Sequence, residues 1–258
     1  MRRTTLFLFL TVMIDAMGIG LIMPVMPDLI RGIQGGGLAG AALWGGVLAT
    51  AFAIAQFLFS QVIGALSDRS GRRPVLLVTQ GALVFAYLLM AAAQSLWMLL
   101  LGRILAGIAS ATQSTANAAM ADLSPPEKKT AGFGLLGAAF GAGFVFGPML
   151  GGLLAGWGTR APFCGGAVLV ALNFCLGAIV MRETADKAKR RAFDWKRAHA
   201  FGALRQMGRL PGLLPLIIVY FIYSVAIYVY PAIWAFFTQA RFGWNAGMVG
   251  VSLGVFGF

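Results

Sequence analysis

Long apolar runs of nearly uniform length dominate this chain and restrict what it can fold into. A bilayer crossing needs about 20 mostly apolar helical residues. In lipid, only helices and closed barrels satisfy every backbone polar group. The runs lie at roughly 5–26, 41–65, 74–94, 96–120, 131–156, 162–182 and 213–238, and an incomplete eighth begins near 246. They predict an all-α polytopic membrane protein. Composition points the same way. Hydrophobic residues make up 59% and charged residues 11%, where a soluble domain is about a quarter charged. The 35 glycines and 10 prolines are tolerable because neighbouring helices resatisfy the backbone. Arg2-Arg3 followed by an apolar run resembles a secretion signal. The run continues past Ile22 and is followed by equally apolar segments, so it reads as a first crossing.

The net charge of +12 raises nucleic acid as a partner, but the placement of the charge argues against it. Put the N-terminus in the cytoplasm. The cytoplasmic loops then collect Arg2, Arg3, Arg69, Arg72, Arg73, Lys128 and Lys129, and every Lys and Arg from Arg182 to Arg209. The outside receives Arg31, Arg160 and Arg241. This is the asymmetry of the positive-inside rule. Glu183–Gly212 is the longest polar stretch. It reads as a basic cytoplasmic linker or as an amphipathic helix drawn to anionic lipid. The expected organisation is a six-helix bundle over 1–182, the linker over 183–212, and the truncated start of a second bundle over 213–258.

Charges retained inside a bilayer are costly and mark function. Asp15 lies mid-run, and burial makes a carboxylate readier to hold a proton, as proton coupling requires. A structural hydrogen bond to another helix is the alternative. Arg103 lies in the fourth run and cannot shed its charge. Gly107, Ser110, Ser114 and Asn117 share its helical face at 3.6 residues per turn, a polar stripe suited to a watery cavity. Arg103 is expected to pair with Asp15 or with a backbone carbonyl. Gln80 and Gln113 are further cavity candidates, and either could instead bridge helices.

Between the second and third runs lies GALSDRSGRRP, from Gly64 to Pro74. Its glycines and proline make a turn, and Asp68, Arg69, Gly71, Arg72 and Arg73 crowd it with charge of both signs. Asp122 ends the fourth run on the same side. Carboxylate and guanidinium can form a bidentate pair, so Arg72 and Asp122 are expected to act as a latch made in one conformation and broken in another. Asp68 is expected at a helix N-terminus, where the dipole favours an anion.

In the fifth run Gly143, Gly147 and Gly151 repeat every four residues beside Pro148 and Gly152. This is a small-residue pattern for close helix contact with a proline kink. In the seventh run Tyr220, Tyr223, Tyr230 and Trp234 share a face. They suit either a flat, lipophilic cargo, neutral or cationic, or core packing. Cys164 and Cys175 are eleven residues apart, about three turns or ~16 Å, too far to bridge. His199 is the single histidine. No metal-ligand spacing and no catalytic set is present, so no enzyme is expected.

These motifs resemble the major facilitator superfamily, in its drug:proton antiporter branch. The loop at Gly64–Pro74, Leu101–Gly107 around Arg103, and Gly137–Gly152 are similar to its signatures of helices two to three, four and five. Asp15–Pro27, Ser67–Leu77, Ala161-Pro162-Phe163 and Arg241–Asn245 narrow the likeness to tetracycline efflux proteins. The resemblance implies alternating access between two related halves in a bacterial inner membrane, with a small molecule exchanged for a proton. The implied cargo is a tetracycline–divalent-metal complex, and no cofactor is expected beyond the proton gradient. It also implies roles for Asp15, Asp68, Arg72, Arg73 and Arg103. Two departures stand out. Ala86, before Tyr87, replaces an acidic residue of tetracycline exporters, which favours another drug or an endogenous metabolite as cargo. The sequence also stops within the eighth run, which admits an inactive fragment or a structural membrane component.

Overall fold

The computed structural model describes residues 2–185 and 212–256. Most of the linker expected at 183–212, with its basic residues and His199, lies outside them. Among the described residues, seven helices are long and apolar enough to cross a membrane. They are α1 (Arg3–Gln34), α2 (Leu38–Ser70), α3 (Arg72–Ala91), α4 (Leu96–Leu123), α5 (Pro126–Trp157), α6 (Ala161–Val180) and α7 (Leu213–Phe242). A shorter apolar helix, α8, covers Ala246–Phe256. Each apolar run has become a helix. The structure extends several by a turn or more, because polar end residues complete the hydrogen bonding that hydropathy does not register.

The turns are set locally. Gly35 and Gly243 end their helices at φ 68° and 66°, the left-handed region that a Cβ penalises. Arg160, between α5 and α6, donates to the Ala91 and Ala93 carbonyls at 3.3 and 2.8 Å, placing a cation at the C-terminus of α3. Two helices are interrupted. A 3₁₀ turn over Met23–Val25 breaks α1, where Pro24 and Pro27 remove backbone donors. In α4 the regular helix stops at Ala109 and resumes at Thr112.

The first six helices pack mainly as the pairs α1–α5, α3–α6 and α2–α4. The α1–α5 seam is glycine-built. A Cβ on Gly143, Gly147 or Gly151 would collide with the carbonyls of Met13, Met17 and Leu21 in turn. Gly152 and Gly250 bring α5 equally close to α8. Cys164 and Cys175 are free and exposed. Among the described residues, α7 and α8 meet the first bundle mainly toward its Arg31 end, through α1, the start of α2 and the second half of α5. Toward the Arg72 end, α7 residues from Tyr220 to Tyr223 are exposed.

Candidate functional site

A cavity of about 590 Å³ lies between the first bundle and α7. Its wall is mainly apolar: Ile19, Ile22, Met23 and Met26 of α1, Phe52 of α2, Phe140 and Phe144 of α5, and Pro231, Ala235 and Phe236 of α7. Polar groups on it are Gln56, Arg103, Gln113 and Tyr228. Size and lining suit a drug-sized organic molecule. At the Arg31 end the cavity is shut. Phe236 sits on Gly45, and Met23 packs with Trp234, Ala235, Val249 and Leu253. Beyond them Asp28 binds Arg31 at 2.5 Å and accepts from Gln239 at 3.2 Å.

Arg103 reaches the wall from α4 and lies over the Phe52 ring, 4.4 Å from its centroid. Its Nε is buried without a hydrogen-bond partner. Neither expected pairing, with Asp15 or with a backbone carbonyl, occurs among the described residues. The polar stripe on α4 also divides. Gly107 packs directly on the Phe52 carbonyl, and the Ser114 hydroxyl donates to the Ser60 and Ala111 carbonyls at 3.3 and 2.9 Å. Ser110 is buried at the interruption, and Asn117 is not on the cavity wall. The break at Ser110–Ala111 resets the helical phase, so beyond it Gln113 faces the cavity.

Asp15 is the one buried carboxylate among the described residues. It lies behind the wall rather than on it, on the side of Thr112. The Thr112 hydroxyl is already committed to the Ala109 carbonyl at 2.8 Å, and neither Asp15 oxygen has a hydrogen-bond partner. A polar cluster lies one turn along α1. Asn173 of α6 donates to Thr11 Oγ1 and to Gln80 Oε1, both at 3.0 Å. Gln80 therefore bridges helices and is absent from the cavity. Ala86 is fully buried beside Gly102, so the position of the missing acid is also off the wall.

At the Arg72 end the loop charges are brought together. Buried Arg72 contacts Asp68 at 2.5 Å, Asp122 at 3.1 Å and the Ser67 hydroxyl at 2.6 Å. These partners come from α2 and α4, so the group braces the first bundle and does not span the cavity mouth. Among the described residues the Asp68 carboxylate is paired with Arg72, and the anion at the N-terminus of α3 is a different one. That place belongs to Glu183, which accepts from the Arg72 and Arg73 amides at 2.8 and 3.3 Å. Gly71 supplies no side-chain cap of its own. Arg73 donates to the Ala178 carbonyl at 2.7 Å, tying the same turn to the end of α6. No sequence signal paired Glu183 with a turn 111 residues away.

Among the described residues the expected substrate face on α7 does not meet the cavity. Tyr220 and Tyr223 are 71% and 60% exposed and off the cavity. Tyr230 stacks on Trp234 and Phe256, and Trp234 donates to Ser252 Oγ at 2.9 Å. These two are packing residues between α7 and α8. The cavity takes the adjacent face, Tyr228, Pro231, Ala232 and Ala235, because α8 occupies the other.

Comparison with known proteins fits this architecture. The chain is 42% identical over 247 residues to the tetracycline resistance protein, class C, of Escherichia coli, covering 96% of this chain and 62% of that protein. It is 38% identical over 263 residues to the class E protein of Escherichia coli, covering 100% of this chain and 63% of the relative. It thus spans less than two thirds of their length. Among solved structures, the human organic anion transporter MFSD10 superposes with a TM-score of 0.79 at 24% identity, covering 99% of this chain and 69% of that one. A bacterial homologue of the human lysosomal transporter Spinster, inward-facing and unoccupied, gives 0.77 at 19% identity, covering 96% of this chain and 57% of that one. Both show the same fold. The sequence model of the Major Facilitator Superfamily matches residues 8–258, and the chain belongs to that superfamily.

Proposed function

We propose that the complete transporter exports tetracycline-type molecules in exchange for protons, by alternating access across a bacterial inner membrane. The carrying observation is the cavity, a drug-sized apolar chamber with one cation and two amides on its wall. It sits where major facilitators place their substrates, at the interface of the halves. Similarity to tetracycline resistance proteins over nearly the whole chain favours the cargo class. The basic loops favour a cytoplasmic Arg72 end. In this reading the closed Arg31 end faces outward.

Asp15 is the proton-binding residue in this reading. A buried carboxylate with no ion pair among the described residues, and only the Thr112 hydroxyl beside it, has little to offset its charge. Gaining or losing a proton there changes the energy of the bundle far more than at a surface. The α1–α5 and α5–α8 glycine seams would close the bundle against proton leak. A second reading, export of another drug or an endogenous metabolite, is favoured by Ala86, which leaves α3 without the expected acid.

The test is energised efflux of tetracycline with Mg²⁺ from cells lacking their own exporters, with the complete reading frame expressed. The expected outcome is uncoupler-sensitive efflux that Asp15→Asn abolishes while inserting normally. Normal transport by Asp15→Asn would remove Asp15 from the mechanism. Efflux of other compounds alone would move the cargo to the second reading.

A further inference from the structure

We propose that Gln80 and Asn173 are positioning residues for the proton on Asp15, and that with Thr112 and Thr115 they hold a buried water that partners the carboxylate in both of its charge states. This rests on the reading of Asp15 as the proton-binding residue and names the groups through which it acts.

Asp15 belongs to a closed ring of polar residues drawn from four helices. The Thr112 hydroxyl of α4 lies beside it and 3.2 Å from the Thr79 hydroxyl of α3. Gln80 follows Thr79, and its Oε1 accepts from Asn173 of α6 at 3.0 Å. Asn173 also donates to Thr11 of α1 at 3.0 Å, and Thr11 precedes Asp15 by one helical turn. Five buried atoms of this group have no hydrogen-bond partner among the described residues: both Asp15 oxygens, Gln80 Nε2, Asn173 Oδ1 and Thr115 Oγ1. Thr11, Gln80, Thr112 and Thr115 are already 0% exposed within the first bundle, so no segment packed outside it can reach them.

Buried polar atoms are nearly always paired, and an ordered water is the usual partner where the protein supplies none. The unpaired atoms here are an N–H donor among oxygen acceptors, as a water with two protons and two lone pairs requires. Thr11 and Asp15 are about 6 Å apart along the helix axis, a gap that two hydrogen bonds of about 2.8 Å span through one water. Through that water the free Gln80 N–H supports the ionised carboxylate. The free Asn173 carbonyl accepts when the carboxyl carries its proton. The ring lies off the cavity wall, so the proton on Asp15 is held by groups that the cargo does not touch.

The other charged or titratable groups nearby are Tyr87 of α3, which feels the charge of Asp15, and Arg103 of α4, which also acts on Tyr87. α5 meets this stretch of α1 with Gly143, and α6 meets it with Asn173. Tyr87 and Arg103 remain in every variant below except where Asp15 itself is replaced to assign its band, so they are a constant background.

The test is infrared titration of the complete transporter in nanodiscs, following the carboxyl C=O band that Asp15→Asn removes. Gln80→Leu takes away the donor of the ionised state. The midpoint of the band should then move toward higher pH by about 1 to 2 pH units, the worth of a hydrogen bond to a charge. A water O–H band, recognised by its shift in isotopically labelled water, should rise as Asp15 ionises and be lost in the same variant. Gln80→Leu combined with Asn173→Leu removes both amides and leaves fewer unpaired partners, so it serves if the single variant folds poorly, and it should show the same move. Ser114→Ala, which breaks an inter-helix bond outside the ring, should leave the midpoint in place. An equal move in Ser114→Ala, a move toward lower pH, or no such water band would each overturn the proposal. A titrating Asp15 band with an unmoved midpoint would sink this inference alone. No titrating band that Asp15→Asn removes would take Asp15 out of proton binding and this inference with it.

Discussion

Glu183 shows how much a single side chain organises at the Arg72 end. α3 begins at Arg72 with free backbone donors and no cap from its own turn. The Glu183 carboxylate accepts from two of them and places an anion at the positive end of the helix. The expected result is that Glu183→Ala lowers stability by about 0.5–2 kcal/mol, the usual cost of a lost cap. Glu183→Gln, which keeps an acceptor, should lose less. Thermal unfolding of the purified protein measures both, and an unchanged midpoint in the alanine variant would refute the cap. At this scale the sequence was legible where charge type decides. Arg72 and Asp122 were paired from their chemistry and are in contact. It was not legible where the partner comes from a distant segment, as with Glu183. Nor was it legible where helical phase decides. The stripe drawn through Arg103 assumed an unbroken helix, and neither proline nor glycine marks the break at Ser110–Ala111.

At the scale of the element, α5 carries more glycines than its contacts use, and the surplus provides a control. Gly143, Gly147 and Gly151 face the α1 backbone so closely that a Cβ on Gly147 would lie 2.5 Å from the Met17 carbonyl. Gly137 and Gly141, in the same helix, have open space around an added Cβ. Gly147→Leu should therefore prise α1 from α5 and sharply reduce the yield of folded, monodisperse protein, because small residues are what permit such contact in lipid. Gly141→Ala should leave yield and unfolding midpoint near wild type, and should gain slightly from helix propensity. Detergent-solubilised yield with size-exclusion profiles separates the two, and equal damage from both substitutions would mean that the seam is not the reason for the glycines. The spans themselves were readable because hydropathy in lipid is a property of single segments. Which of two adjacent faces of α7 meets the cavity was not, because α8 decides it.

For the whole molecule, the distribution of contacts defines a gate. Among the described residues, α7 and α8 meet the first bundle toward the Arg31 end, where Asp28, Arg31 and Gln239 form a polar clasp above the packing of Phe236 on Gly45. Among the described residues the Arg72 group ties together helices of the first bundle. In the alternating access proposed for the complete transporter the Arg31 end parts while the other end shuts, so the clasp is expected to break in every cycle. Cysteines at Asp28 and Gln239, with Cys164 and Cys175 replaced by serine, place this under control. A short bifunctional thiol reagent should link them across α1 and α7, stop efflux, and release it on reduction. In the linked protein a further cysteine at Gln113, on the cavity wall, should stay reactive to a membrane-impermeant reagent added at the cytoplasmic face. It should be silent to the same reagent added outside. Transport at the normal rate through a linked clasp would mean that the two bundles do not separate there, and the outer gate would have to lie elsewhere. Loss of transport with the cavity still open inward would make the clasp the contact whose rupture starts the outward half of the cycle.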